Sequence, residues 1–276
     1  MFSHILITKM CIYLAIFLPV VCSEGRVGVL PVLNVTGLFY GGAGPNVSLP
    51  ISYDWRSSHG RCVDSPFDSG NCEASWAIAV ASAATDRSCM EGSPGFTPTR
   101  VLSCCGKCGV GCYGGYPWMA LQFLTKQGSS TPSCQPMEAL ETTHIRSLTP
   151  FCPLRYCQNF NQDYTHVFTK GAYLVRNIDN EIFTNGPVVA YIDLHDEFLD
   201  YSGGVYEAKN EQPIGKLTVK LLGWGIENGK RFWIGENSWG TEWGEKGYFR
   251  IRRGTNTASI ERNVMAPLIR DQKTKH

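Results

Sequence analysis

The chain has 276 residues, with 25 lysines and arginines against 24 aspartates and glutamates, a net charge of +1, and only 18% of it is charged. That length allows one large domain or two smaller ones with a sizeable core. The near-neutral balance and the lack of a long basic stripe exclude nucleic acid as an expected partner.

Residues 1–23 read as a secretory signal. Lys9 gives a weak positive start, "CIYLAIFLPVV" is an apolar core of signal length, and Val21-Cys22-Ser23 is a cleavage site before Glu24. The competing reading is a membrane anchor, for which the run is short. No second span follows, so no membrane span is expected once the signal is cleaved. The sequons at Asn34 and Asn46 are candidate glycosylation sites.

Residues 24–48 are turn-rich around "LFYGGAGPN". From Leu49 the pattern becomes globular. "SWAIAVASAATDRSC" predicts a helix closing near Cys89, and "YPWMALQFLTKQG" a second ended by Gly128. After Cys157 come β-type runs: "GAYLVRNI", "PVVAYIDL", "TVKLLGWGI", "RFWIGENSW" and "GYFRIRR", separated by glycine and asparagine turns. Helices first and strands later predict an α+β fold in two halves.

Cys11 and Cys22 lie in the signal, which leaves ten cysteines. An even number in a secreted chain argues for disulfides. "CCGKCGVGC" has the look of a zinc knuckle, but no second half of a zinc spacing follows it, so neither metal nor cofactor is expected.

Several segments together carry a family resemblance: "LPISYDWR", "SGNCEASWAIA", "CCGKCGVGCYGGYP", "NGPVVAYIDLHDEFLDYSGGVY" and "LLGWGIENGKRFWIGENSWGTEWGEKGYFRIRRG". In these the chain resembles the papain-like cysteine peptidases, and most closely their cathepsin B branch, from about Leu49 to Met265. The resemblance implies a helical left half and a β-barrel-like right half with a cleft between them. It divides the chain into a signal (1–23), a short propeptide-like segment (24–48), the papain-like domain (49–268) and a polar tail (269–276). It also implies the bridges Cys62–Cys89, Cys72–Cys112, Cys104–Cys152, Cys105–Cys108 and Cys134–Cys157.

The resemblance places Ser75 at the nucleophilic cysteine, Leu217 at the histidine base, Asn237 at the asparagine that orients that base, and Trp239 at the indole that shields it. Ser69 falls at the oxyanion glutamine, six residues before Ser75. A serine hydroxyl needs a base to take its proton as it attacks, and leucine cannot accept one. Losing an oxyanion donor costs about 10²–10³ in rate by itself. Asn237 is then expected to be structural, bonding nearby backbone. Of the other histidines of the mature chain (His59, His144, His166, His195 and His276), His195 is the one placed to serve as a base. The preferred reading of His195 is nevertheless a surface residue beside Asp193 and Asp196.

The cleft positions implied are Glu73, Gly114, Gly115, Lys216, Asn263 and Trp239. Gly114 and Gly115 match the family's backbone-binding pair, and Asn263 stands where cathepsin B carries a glutamate that accepts arginine. Glu73 and Lys216 either meet across the cleft and partly plug it or remain two solvated charges. The histidine-bearing occluding loop of cathepsin B is reduced here to a short stretch holding only His144. These readings lead to an expectation of a non-catalytic, secreted or vesicular protein that binds a peptide or protein ligand in the cleft. The alternatives are a serine-type hydrolase using Ser75 with an unidentified base, and an extracellular matrix or adhesion component. Nothing in the sequence sets the oligomeric state.

Overall fold

The computed structural model describes residues 40–41, 47–137, 149–152, 155–159, 161–209 and 212–269. The expected signal, both sequon asparagines, His144 and the C-terminal residues 270–276 lie outside them.

The chain opens with two short strands, β1 (Tyr40–Gly41) and β2 (Tyr53–Asp54), and the single-turn helix α1 (Trp55–His59). Three helices follow: α2 (Ser75–Met90), α3 (Pro98–Cys104) and α4 (Pro117–Lys126). Alanines and other apolar residues surround α2 on every side, so it is buried on every side rather than along one stripe. Thr97 caps α3 through the amide of Thr99, and Pro98 and Pro117 open α3 and α4 where a missing N–H costs nothing. Gly128, at φ +68, ends α4 with its N–H on the Phe123 carbonyl.

The pair β3 (Ser129–Ser130) and β4 (His166–Val167) leads to a large sheet. Its further elements are β5 (Gly171–Val175), α5 (Ile178–Asn185), β6 (Val188–Leu194), α6 (Asp196–Leu199) and β7 (Val205–Tyr206). They continue as β8 (Gly215–Glu227), β9 (Lys230–Glu236), β10 (Tyr248–Arg252) and β11 (Met265–Leu268). The strand order is β1-β5-β11-β6-β8-β9-β10-β7, with β2 paired to β8. Asn228 and Gly229, both at positive φ, make the tight turn between β8 and β9.

This is the α+β, two-half arrangement that the sequence pattern predicts. One apolar cluster packs α2, α3 and α4, and a second fills the sheet around Ile192, Leu217, Phe198 and Phe249. The helix α5 interrupts the predicted run of strands. Asp179 and Glu181 in its first turn suit a helix start, and Gly186 at φ +99 ends it. Five disulfides close: Cys62–Cys89, Cys72–Cys112, Cys104–Cys152, Cys105–Cys108 and Cys134–Cys157.

Candidate active site

The two halves meet where α2 begins. Ser75 is its first residue, buried, and its Oγ accepts the backbone N–H of Thr218 on β8 at 3.4 Å. The turn that feeds the helix is tied to both halves. Glu73 donates its N–H to the Cys112 carbonyl on the helical side, and Ser69 donates its N–H to the Ser238 carbonyl on the sheet side. The Cys72–Cys112 bridge pins the same turn covalently.

Leu217 precedes Thr218 on β8 and sits across the ladder from Ile192. It is 2% exposed and belongs to the sheet's apolar core. Asn237 follows β9, buried, with Oδ1 accepting the Ser238 N–H at 2.8 Å. Its Nδ2 is buried without a hydrogen-bond partner. Trp239 packs edge-on against Trp243 with centroids 5.1 Å apart, in an aromatic group that includes Phe198. Ser69 is buried in its turn, and Asn263 is half-buried just before β11.

Gly114 and Gly115 form the helical wall. Gly109 and Gly115 make an isolated antiparallel bridge, flanked by bonds from Val110 N–H to the Gly114 carbonyl and from Tyr116 N–H to the Cys108 carbonyl. Those neighbours point one way, so the N–H and C=O of Gly115 point the other, and they enter no backbone hydrogen bond among the described residues. A Cβ on Gly115 would lie 2.5 Å from the Trp76 ring, so no larger residue fits.

Lys216 does not reach across to Glu73. Its ammonium pairs with Asp193, its register partner on β6, and lies 5.4 Å from the Tyr191 ring centroid. Asp193 also accepts the Ser259 hydroxyl at 2.5 Å. Burial pushes the Asp193 carboxyl up, but the bonds from Lys216 and Ser259 outweigh it and hold the group below its ordinary range. The short cross-strand distance within one sheet explains why Lys216 chooses Asp193 over a carboxylate on the other half.

His195 is not a surface residue. It is 5% exposed, immediately before α6, and its Nδ1 is buried without a partner. The site therefore offers a hydroxyl at Ser75, the Thr218 amide that it accepts, and the carboxamide of Asn237. Among the described residues no group of three His, Cys, Asp or Glu side chains could hold a metal ion.

Two residues next to this site, Thr218 and Lys220, escaped the sequence reading, and Asp193 entered it only as a neighbour of His195. Lys220 carried a signal, because a lysine within the apolar run "TVKLLGWGI" must find a counter-charge.

A two-half α+β fold with a helix N-terminus set against a long central strand defines the papain class of architecture. A family profile described as "Papain family cysteine protease" matches residues 49–268, and the chain belongs to that family. It is 34% identical over 250 residues to "Cathepsin B-like cysteine proteinase 4" of Caenorhabditis elegans, covering 79% of this chain and 75% of that protein. It is equally 34% identical over 241 residues to a "Gut-specific cysteine proteinase" of the same organism, covering 79% and 73%. Among solved structures, "proCathepsin B S9 from Trypanosoma congolense" superposes with a TM-score of 0.82 at 28% identity, covering 90% of this chain and 88% of that one.

These relatives correct the functional expectation. Proteins 31–35% identical to this chain are named cysteine proteinases, which points to protease function rather than to a non-catalytic binding or structural protein. The same finding gives no support to the serine-type hydrolase or the matrix component as alternatives.

Proposed function

We propose that the protein is a peptidase of the papain family that acts on extended peptide chains laid along the cleft between its two halves. One observation carries this reading: the outward-facing N–H and C=O of Gly115, beside the start of α2, form a one-residue strand edge. Such an edge pairs with the main chain of an extended peptide and leaves side chains to select the sequence. The positions Ser75, Asn237, Ser69 and Trp239 surround the bond to be cut, with Glu73, Lys216 and Asn263 along the rim. The five disulfides and the signal-like residues 1–23 favour an oxidising lumen or the extracellular space as its compartment. No helix among the described residues is long and apolar enough to cross a membrane.

Mass spectrometry of a mixed peptide pool incubated with the purified protein tests the proposal. New termini that appear with the wild type and fall in number with Gly115→Ala support it. A pool left intact at both acidic and neutral pH overturns it.

A further inference from the structure

The seam between α2 and β8 carries a second, buried feature. Lys220 on β8 places its ammonium 2.7 Å from Asp86 Oδ2 on α2 and 2.9 Å from Glu236 Oε2 on β9. It also donates to Ser82 Oγ at 2.7 Å. The three charged side chains are 2–7% exposed. Two carboxylates thus face one ammonium, and one negative charge in excess is held away from water.

Few other groups face this triad. Asp64 adds negative charge near Asp86, and Tyr248 on β10 faces both Glu236 and Lys220. Arg56 lies 4.1 Å from the Tyr248 ring centroid but is committed to Asp54. Lys220 is the cation paired with the Asp86 carboxyl. Burial pushes that carboxyl up, Lys220 opposes it, and Glu236 and Asp64 add to the rise, leaving it at about 6.

We propose that Asp86, Lys220 and Glu236 form an acid-tuned clamp on the α2–β8 seam, in which uptake of one proton by the carboxylates cancels the excess charge and tightens the joint between the two halves. The clamp acts on the cleft because the same two elements build both. Ser75 and Asp86 lie on one helix, roughly 16 Å apart, and Thr218 and Lys220 on one strand, about 7 Å apart. Asp86 is the carboxyl that is raised.

The sign follows from linkage. The carboxyl titrates higher in the folded chain than in the unfolded one, where aspartate sits near 3.9. Its stabilising effect is complete below about pH 4 and is lost as pH rises through about 6. The joint is therefore firmest in acid and loosens towards neutrality. His166, lowered by burial, works in the opposite direction over part of this range, so variants must be compared at each pH.

Denaturant unfolding of the full chain from pH 4.5 to 7.5 tests the clamp, comparing wild type with Asp86→Asn. The ratio of variant to wild-type folding constants should climb by roughly twentyfold across that range, and a flat ratio overturns the proposal. Hydrogen exchange of residues 216–222 at pH 7 should be slower in the variant, and equal exchange refutes the link to the seam. Should Asp86→Asn not fold, carboxyl ¹³C NMR of the wild type decides instead. One carboxyl titrating near pH 6 supports the clamp, and none above pH 5 rules it out.

Discussion

The backbone N–H of Thr218 points at Ser75 Oγ, 3.4 Å away, and so joins the first residue of α2 to the central strand of the sheet. Both residues are buried. The bond lies where the helical core and the sheet core come together, which makes Ser75 a structural residue as well as a site residue. Ser75→Ala leaves the Thr218 amide without an acceptor, which should cost about 1–3 kcal/mol in urea unfolding.

Removing the one cation of the buried triad should be far more damaging. Lys220→Met strands Asp86 and Glu236 without a counter-charge, at about 3–5 kcal/mol at pH 7. At pH 5 the loss should shrink, because a protonated Asp86 no longer carries an unpaired charge. Unfolding curves at the two pH values measure the difference.

Arg87 is a second buried hub, and its bonds need a guanidinium. It donates to the carbonyls of Pro187, Gly186 and Pro267, to Tyr173 Oη and to Glu181, which is fully buried. A lysine has one ammonium and cannot span α5, β5 and β11 at once. Arg87→Lys should destabilise the chain by about 3 kcal/mol or more, read as a lower denaturant midpoint with an unchanged slope.

At Gly115 the expected effect is on both packing and binding. A methyl there meets the Trp76 ring at 2.5 Å, so Gly115→Ala should cost about 1–3 kcal/mol and weaken binding of extended peptides. Titration with a fluorescent peptide, alongside a melt, separates the two. Unchanged affinity would remove Gly115 from the peptide-binding wall.

The Lys216–Asp193 pair lies at a partly exposed rim, with side chains 30% and 23% exposed. Lys216→Ala should change stability by about 0–1 kcal/mol, while Asp193, freed of that bond, should titrate at higher pH than in the wild type. Carboxyl NMR of the two proteins checks the direction.

The sequence by itself determined the family and the broad order of helices first and strands later. Apolar runs, glycine turns and motif spacing act locally, so "SWAIAVASAATDRSC" specifies a helix and the Asn228-Gly229 pair between two β-type runs a hairpin turn. Short polar stretches were less legible: α5, in "IDNEIFTN", has too little apolar periodicity to show beside the strands that flank it. Partner choice between distant residues was decided only by the tertiary structure. Register placed Lys216 opposite Asp193 instead of Glu73, and the packing of α2 on β8 brought Asp86 and Glu236, 150 residues apart in the chain, onto one lysine. A charged side chain's partner depends on which surfaces are desolvated together, and that is a property of the assembled core rather than of any segment.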